Sequence, residues 1–169
     1  PTDASDPNQA PVITSTNEFF FTEGATNAVG IITATDVNRD DILYSLSGTN
    51  ATLFEISETT GELSFKASPD YEVQSSYNIT VEVSDGRGLL AIQPITITIT
   101  DDRTEDFDGD GLTEAEEEDN YGTSDLDADS DDDGVSDGDE INTHGTDPND
   151  SDSDDDGLSD GDEVNSHGT

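Results

Sequence analysis

The sequence contains no cysteine, methionine or tryptophan, and only four of its 169 residues are lysine or arginine. Without cysteine there is no disulfide framework, and without methionine the chain cannot form the Met-rich groove that calcium-sensor proteins expose. The shortage of basic residues, against 43 acidic ones and a net charge of −39, argues against binding to nucleic acids or anionic membranes. No apolar run is long enough to span a bilayer, and no signal peptide is recognisable.

The negative charge is concentrated in the second part of the sequence. Residues 101–169 contain 29 acidic residues, whereas residues 1–100 contain 14. The first part has enough aliphatic and aromatic residues to form a core, but the second would be held open by repulsion between its carboxylates unless cations neutralise them. We therefore predict a linker at residues 1–10, a domain at 11–101, a short linker at 102–105 and a cation-dependent region at 106–169.

One loop pattern occurs three times in the cation-dependent region, with a period of 23 residues. It reads DFDGDGLTEAEE from Asp106, DSDDDGVSDGDE from Asp129 and DSDDDGLSDGDE from Asp152. Acidic residues at positions 1, 3, 5, 9 and 12, glycine at position 6 and a backbone carbonyl at position 7 are the arrangement of an EF-hand-type calcium loop. The predicted ligands are Asp106, Asp108, Asp110, Leu112, Glu114, Glu117, Asp129, Asp131, Asp133, Val135, Asp137, Glu140, Asp152, Asp154, Asp156, Leu158, Asp160 and Glu163.

Four further aspartates lie just outside the loops, namely Asp125, Asp127, Asp147 and Asp150. They can add ligands from one repeat to the next or form a second ion site in each repeat, and we include Asp127 and Asp150 among the predicted ligands. Asp132 and Asp155, at position 4, are expected to face solvent. His144 and His167 share one repeat position, where packing on the neighbouring turn is the main expectation and a transition-metal site the alternative.

Residues 11–100 show short β-branched and aromatic runs separated by turns. Apolar residues alternate with polar ones from Tyr77 to Val83 and from Ile95 to Ile99, which is typical of half-buried antiparallel strands. Pro94 indicates a bulge or an edge position. An all-β Greek-key sandwich is predicted. Its strands are expected near Val12–Ser15, Phe19–Thr22, Val29–Thr35, Ile42–Leu46, Glu62–Phe65, Tyr77–Ser84 and Leu89–Thr100.

This domain resembles a cadherin repeat over nearly its whole length. The resemblance is carried by Phe21-Thr22-Glu23-Gly24, Ala34-Thr35-Asp36-Val37-Asn38, Thr60-Gly61-Glu62-Leu63, Asp70-Tyr71-Glu72, Val83-Ser84-Asp85-Gly86 and Asp101. It implies a calcium site at the lower pole of the sandwich, formed by Glu23, Asp70, Glu72 and Asp101. It also implies an upper-pole set of Asp36, Asn38 and Asp85 that a preceding domain would complete, and this site is expected to be weak or empty.

The cation-dependent region resembles bacterial thrombospondin type 3 repeats, written D-x-D-x-D-G-L-x-D-x-x-E…G-T-D-P. The resemblance implies an irregular, calcium-wound repeat region. A short helix is expected over Glu114–Asn120 and its equivalents, ended by the following glycine. Dockerins use similar half EF-hands, but they carry apolar helices after each loop, and the corresponding segments here are polar.

The sequence shows no catalytic arrangement, because neither histidine has a nucleophile partner and there is no phosphate-binding glycine loop. The leading hypothesis is a calcium-binding structural and adhesion segment of a larger secreted or surface bacterial protein, with neighbouring domains of the same chain as partners. Calcium would rigidify the repeats and the interdomain junction, with at least three ions and a fourth or more outside the loops. The rival is a dedicated module, dockerin-like or carbohydrate-binding, that binds a cell-surface protein or polysaccharide through an aromatic patch at Phe19–Phe21.

Overall fold

The computed structural model describes residues 7–167, and the chain divides into two compact units after Asp102. Residues 1–6 of the predicted linker and residues 168–169 of the third repeat lie outside the described residues. The first unit is a cadherin-like β-sandwich and the second consists of loops and short helices, which confirms the predicted fold class. No helix between residues 7 and 167 is long and apolar enough to cross a bilayer.

The sandwich unit consists of two main sheets and one short strand pair. The first sheet has the strand order β2-β9-β8-β5, the second has the order β3-β7-β6, and β1 pairs with β4. All strand pairs are antiparallel except β2 with β9, which run parallel. The strands are β1 (Val12–Ile13), β2 (Glu18–Thr22), β3 (Gly30–Ile31), β4 (Ala34–Thr35), β5 (Leu43–Ser47), β6 (Phe54–Ile56), β7 (Glu62–Phe65), β8 (Ser76–Ser84) and β9 (Leu90–Thr100).

Strict alternation along β8 and β9 places one face of each strand in the core, as the sequence predicts. The buried residues of these strands are Tyr77, Ile79, Val81, Val83, Ile95, Ile97 and Ile99. The opposing sheet supplies Leu63, Phe54 and half-buried Phe65, and the ring of Phe54 lies 4.2 Å from that of Phe65 and 5.8 Å from that of Tyr77 on β8. Because these residues are apolar and buried, the sandwich has a continuous core of its own.

The predicted single strand Val29–Thr35 is wrong, because the chain changes sheets in its middle. Residues before Ile32 form β3 in the three-stranded sheet, and residues after it form β4, which pairs with β1. The Ile32 N–H donates to the Gly61 carbonyl at 2.8 Å, and Gly61 has a positive φ of 71° with no room for a Cβ beside the Ile32 carbonyl. Strand β6, which follows a 3₁₀ turn at Ala51–Leu53, was not among the predicted strands.

Pro94 lies on an open stretch of strand edge. Strand β9 pairs with β8 in continuous register from Leu90 to Thr98, so there is no bulge. On its other side, β9 is covered by β2 only from Thr96 onward. The missing N–H of Pro94 therefore leaves both ladders intact, which confirms the edge alternative.

Each repeat of the second unit has a short helical segment that begins at position 9 of its loop. Thr113 and Glu116 cap the first segment reciprocally through side-chain and backbone groups. Gly122 and Gly145 end the first two segments with φ of 75° and 77°, as expected of a glycine after a helix. The segments are α1 (Glu114–Glu116) with a π-helical turn at Glu117–Tyr121, α2 (Asp137–Asp139) with a π-helical turn at Glu140–His144, and α3 (Asp160–His167).

Candidate metal centre

The carboxylates at positions 1, 3 and 5 converge in the first two loops. In each loop, one oxygen from each of these three aspartates lies within 4.8 Å of the other two. The backbone turns around the first aspartate because position 4, here Asp132, and position 6, here Gly134, both have positive φ, of 60° and 99°. The Gly134 N–H then donates to Asp129 Oδ2 at 3.0 Å. The converging sets are Asp106, Asp108, Asp110 and Asp129, Asp131, Asp133.

The closing glutamates of these loops are fully buried. Glu117 and Glu140 have no exposed surface, and one oxygen of each accepts a hydrogen bond from Thr123 Oγ1 at 3.2 Å or Thr146 Oγ1 at 3.0 Å. Their second oxygens are buried without a hydrogen-bond partner, as are Oδ2 of Asp108 and Oδ2 of Asp131. Each loop therefore has one unpartnered carboxylate oxygen at position 3 and one at position 12.

Electrostatics in the two loops disfavours the ionised carboxylates. Burial, together with the charges of Asp108, Asp110 and Asp125, raises the pKa of Glu117 to about 7, against a lowering contribution from the Thr123 hydrogen bond. Burial and neighbouring aspartates likewise raise the pKa of Glu140 to about 7. Buried oxygens with no partner and repelling charges fit a hard divalent cation, whose binding would satisfy the oxygens and offset the repulsion.

The residues at position 7 are oriented by the aspartate two places earlier. The N–H groups of Leu112 and Val135 each donate at 2.8 Å to Oδ1 of Asp110 and Asp133, and both side chains are buried. This bond fixes the peptide that precedes the predicted carbonyl ligand. Coordination by the carbonyl groups of Leu112, Val135 and Leu158 stays a prediction.

The residues at position 9 are held by hydrogen bonds within the unit. Asp137 is buried and accepts from the N–H and the hydroxyl of Ser130 at 2.9 and 2.7 Å, and the Ser153 hydroxyl donates to Asp160 at 2.6 Å. In the first loop, Glu114 instead forms an ion pair with Arg103 at 3.4 Å. The structure thus uses these three carboxylates to brace the loops, and their predicted role as ligands is untested.

Asp125 is a loop-facing acid that we did not include among the predicted ligands. It is buried, its Oδ1 accepts from the Phe107 N–H at 3.1 Å, and its charge acts on Asp108 and Glu117. The signal that the sequence offers is its place between the first and second loops. Asp127 and Asp150, the two flanking residues that we did include, are exposed.

The third loop has the same internal hydrogen bonds but is more open to solvent. The Gly157 N–H donates to Asp152 Oδ2 at 3.0 Å, and the Asp156 N–H donates to Asp154 Oδ1 at 3.1 Å. Asp154 and Asp156 are exposed and Glu163 is half-buried. The position-7 side chain is 49% exposed in Leu158, compared with 3% in Leu112 and 6% in Val135. Asp132 and Asp155, at position 4, are exposed as predicted.

The lower pole of the sandwich gathers the four residues that the cadherin resemblance implies. Carboxylate oxygens of Glu23, Asp70 and Glu72 lie within 4.8 Å of one another. Buried Glu23 accepts from the N–H of Tyr71 at 2.6 Å and from the N–H of Asp102 at 2.8 Å. Burial raises the pKa of Glu72, and the charges of Glu23, Asp101 and Asp70 add to this.

The upper pole contains a cation of its own. Asp36, Asp40 and Asp85 are clustered, and Arg87 Nη2 lies 3.0 Å from Asp40 Oδ1, whose side chain is only 7% exposed. The Asn8 side-chain amide donates to Asp85 Oδ2 at 2.7 Å, and the Gln9 N–H donates to Asn38 Oδ1 at 2.8 Å. Asp40 is not among the residues predicted from the sequence. Its partner in the ion pair, Arg87, lies in the turn Asp85–Gly88.

The phenylalanines of the predicted aromatic patch differ in exposure. Phe21 is buried, Phe19 is half-buried and Phe20 is 70% exposed, which confirms that alternation buries at least one of them. His144 is exposed, and the side chain of His167 lies outside the described residues. A transition-metal site at the histidines stays a prediction.

Two protein families match the chain. The model of the cadherin domain matches residues 17–100, and the model of the bacterial TSP3 repeat matches residues 129–151 and 152–169. The loop Asp106–Glu117 precedes the matched TSP3 range. Both families bind calcium, and together they indicate a calcium-binding, adhesion-type extracellular module. Cadherin homologues are structural and adhesion proteins rather than enzymes.

Individual cadherin relatives match part of the chain. Human cadherin-related family member 2 is 31% identical over 74 residues, which cover 44% of this chain and 6% of the relative. Human protocadherin Fat 1 is 33% identical over 84 residues, covering 47% of this chain and 2% of the relative. The chain therefore spans a very small part of these proteins.

Solved structures agree with this assignment at the level of the fold. The crystal structure of human protocadherin-24 EC1-2 superposes with a TM-score of 0.53 at 24% identity, covering 59% of this chain and 46% of that one. Drosophila N-cadherin EC1-3 gives a TM-score of 0.51 at 23% identity, covering 56% and 35%. The chain thus combines a domain of the cadherin family at residues 17–100 with repeats of the bacterial TSP3 family at residues 129–169.

Proposed function

We propose that this chain is a calcium-stiffened spacer and adhesion segment of a larger bacterial protein that is secreted or displayed on the cell surface. The observation that carries the proposal is the set of four buried, unpartnered carboxylate oxygens, on Asp108, Glu117, Asp131 and Glu140. A buried carboxylate oxygen without a partner is costly, and a calcium ion would satisfy two such oxygens in each loop.

Calcium binding would supply folding free energy to the repeat unit. The unit buries little apolar surface, so repulsion between its carboxylates opposes compaction when no ion is bound. An ion that binds only the folded loops shifts the equilibrium toward them by mass action. Extracellular calcium, at about millimolar concentration, would saturate loops whose affinity is in the range of about 10⁻⁴ to 10⁻³ M that is typical of extracellular modules.

The sandwich contributes a further calcium site at its lower pole and an interaction surface. Glu23, Asp70 and Glu72 supply converging oxygens there, with Asp101 nearby. At the upper pole, Asp36 Oδ2 and Asp40 Oδ2 are also buried without a partner, but Arg87 already neutralises part of the acidic cluster, which supports weaker calcium binding at that end. We thus expect at least three ions in the loops and one at the lower pole.

A direct test compares two neighbouring aspartates of the second loop by calcium titration calorimetry. Asp131→Asn removes charge from position 3, where Oδ2 is buried and unpartnered, and we expect it to weaken one calcium site by at least about ten-fold. Asp132→Asn makes the same change in charge at exposed position 4 and is expected to leave that site nearly unchanged, since asparagine tolerates the positive φ there. Equal effects of both variants would refute a defined site.

The same titration, followed by small-angle scattering, tests the stiffening role. In calcium the repeat unit should be ordered, and in chelator it should expand into a flexible chain while the sandwich stays folded. Scattering that does not change between the two conditions would refute calcium-dependent stiffening even if calcium binds.

A dedicated binding module is the second candidate, and one surface favours it. Leu43 on β5 and Leu90 and Ile92 on β9 are exposed at one end of the outward side of the four-stranded sheet, and Phe20 on β2 is exposed toward its other end. Exposed apolar surface is typical of protein- or polysaccharide-binding faces. If Phe20→Ser abolished binding to a bacterial surface extract while calcium binding persisted, this face would be the functional part.

A further inference from the structure

Consecutive repeats are connected by a hydrogen bond that recurs with an offset of 28 residues. The Gly138 N–H donates to Asp110 Oδ2 at 2.6 Å, and the Gly161 N–H donates to Asp133 Oδ2 at 2.5 Å. The acceptor is at position 5 of one loop, and the donor is at position 10 of the next repeat. Oδ1 of Asp110 and of Asp133 already accepts a hydrogen bond from the N–H at position 7 of its own loop. The N–H from the following repeat therefore fixes the orientation of the whole carboxylate.

Glycine at position 10 is required by space. A Cβ on Gly138 would lie much closer than 3.0 Å to the Asp110 carbonyl oxygen, and one on Gly161 would meet the Asp133 carbonyl oxygen in the same way. The colliding atom is backbone, so it cannot move aside as a flexible side chain would. Any residue larger than glycine would therefore separate the two repeats.

The first repeat is the natural comparison, because it has alanine at position 10. The Ala115 N–H donates to the Arg103 carbonyl at 3.3 Å, and no loop of the pattern precedes it in the sequence. Glycine is thus present in the two repeats that pack on a preceding loop, and absent in the one that does not.

The burial of each loop also depends on whether another repeat follows it. The first and second loops, each followed by a repeat, bury their position-7 side chain and closing glutamate. In the third loop, which no repeat follows in this sequence, Leu158 and Asp156 are exposed. The two buried loops are thus the two whose position-5 aspartate accepts a hydrogen bond from the following repeat.

We propose that each calcium loop is completed by the following repeat, and that Gly138 and Gly161 are positioning residues for the calcium sites of the first and second loops. The loops are then coupled in one direction along the chain, from each repeat to the loop before it. This inference rests on the proposed calcium binding and assigns residues outside a loop to the control of its affinity.

The test is a calcium titration of the full chain followed by NMR at three backbone amides, one per loop. Gly111, Gly134 and Gly157 each donate to the position-1 aspartate of their own loop, so their signals report the loops separately. For Gly138→Ala we expect the first loop to lose at least about ten-fold in affinity, since a hydrogen bond to a charged group is worth that much. For Gly161→Ala the largest loss should move to the second loop.

The outcome is decided by which loop loses the most affinity. A largest loss in the loop preceding the substituted repeat supports the proposal, whereas an equal or larger loss in the substituted repeat's own loop overturns it. If Gly138→Ala leaves too little folded repeat unit to titrate, Gly161→Ala gives the same reading one loop later. If no loop of the unaltered chain binds calcium, the proposed function fails instead.

Ala115→Gly is the matched control at the same repeat position. It should leave all three affinities within about two-fold, because its effect is limited to helix propensity in the first repeat. Gly→Ala normally favours a helix, so a loss caused by Gly138→Ala runs against propensity and isolates the steric contact.

Discussion

The sandwich and the repeat unit bury opposite kinds of side chain. Among the described residues, the core of the sandwich contains thirteen buried hydrophobic residues. In the repeat unit, apart from Gly138, Pro148 and Gly161, the buried residues are Leu112 and Val135 together with six polar or charged ones, namely Glu117, Thr123, Asp125, Asp137, Glu140 and Asp160. Apolar burial is favourable without any ligand, whereas burial of ionised carboxylates is unfavourable until a cation or proton joins them. The comparison predicts that the sandwich folds without an ion and that the repeat unit requires one.

Removal of calcium should separate the two units most strongly. In chelator we expect the repeat unit to lose its cooperative thermal transition and its NMR dispersion, while the sandwich keeps both. Each loop held at a hundred times its dissociation constant contributes about 2.7 kcal/mol, and this stabilisation disappears with the ion. Calorimetry with and without chelator checks it, and a repeat unit that still melts cooperatively in chelator would contradict the comparison.

A cavity in the sandwich core should destabilise the sandwich and leave the repeat unit unchanged. Leu63 is fully buried, so Leu63→Ala is expected to reduce the free energy of unfolding of the sandwich by about 2–5 kcal/mol. Calcium affinity of the loops should not change. Urea unfolding followed by aromatic signals gives the first quantity and calorimetric titration the second. Ile31→Ala, in the neighbouring strand but 56% exposed, is the control and should cost about 0.5 kcal/mol or less.

Neutralising a closing glutamate should have opposite effects with and without calcium. Glu140→Gln keeps the size of the side chain but removes a buried charge. In calcium it should destabilise the repeat unit by about 1–3 kcal/mol through the lost ligand, and in chelator it should stabilise whatever folded population exists. Urea denaturation in calcium and the residual folded fraction in chelator, followed by NMR, together measure the sign. Asp139→Asn, exposed in the same helical segment, should show neither effect, and an unchanged sign for Glu140→Gln would be evidence against a metal ligand.

The smallest expected effect is a dependence on pH in calcium-free buffer. Burial and repulsion raise the pKa of both Glu117 and Glu140 from 4.5 to about 7, so between these values the folded state holds more protons than the unfolded one. The stability of the repeat unit should therefore be fully present below about pH 4.5 and decrease as the pH rises through 7. The folded fraction of the repeat unit in calcium-free buffer, followed by NMR at pH 5 and pH 8, checks the direction, and a larger folded fraction at pH 8 would contradict it.

The parts predictable from the sequence are those whose physical cause is local. Calcium-loop spacing is set within twelve residues, so the converging aspartates and closing glutamates were identified from the pattern. Alternation along β8 and β9 is equally local, and it correctly identified the core face.

The parts missed depend on residues far apart in the chain. The switch of sheets at Ile32 follows from its bond to Gly61, and the parallel pairing of β2 with β9 joins the two ends of the sandwich. Asp40 could be recognised only from its ion pair with Arg87, which forms only in the folded unit.

The glycine at position 10 also bears on how such an array can change in length during evolution. The second repeat has both halves of the contact, Gly138 toward the loop before it and Asp133 toward the repeat after it. A tandem duplication of that repeat would reproduce both junctions unaltered, so the array could lengthen in a single genetic step. Duplication of the first repeat would instead place Ala115 against a loop and create a steric conflict. Duplication of an internal repeat would thus preserve the contacts between repeats, whereas duplication of the first repeat would not.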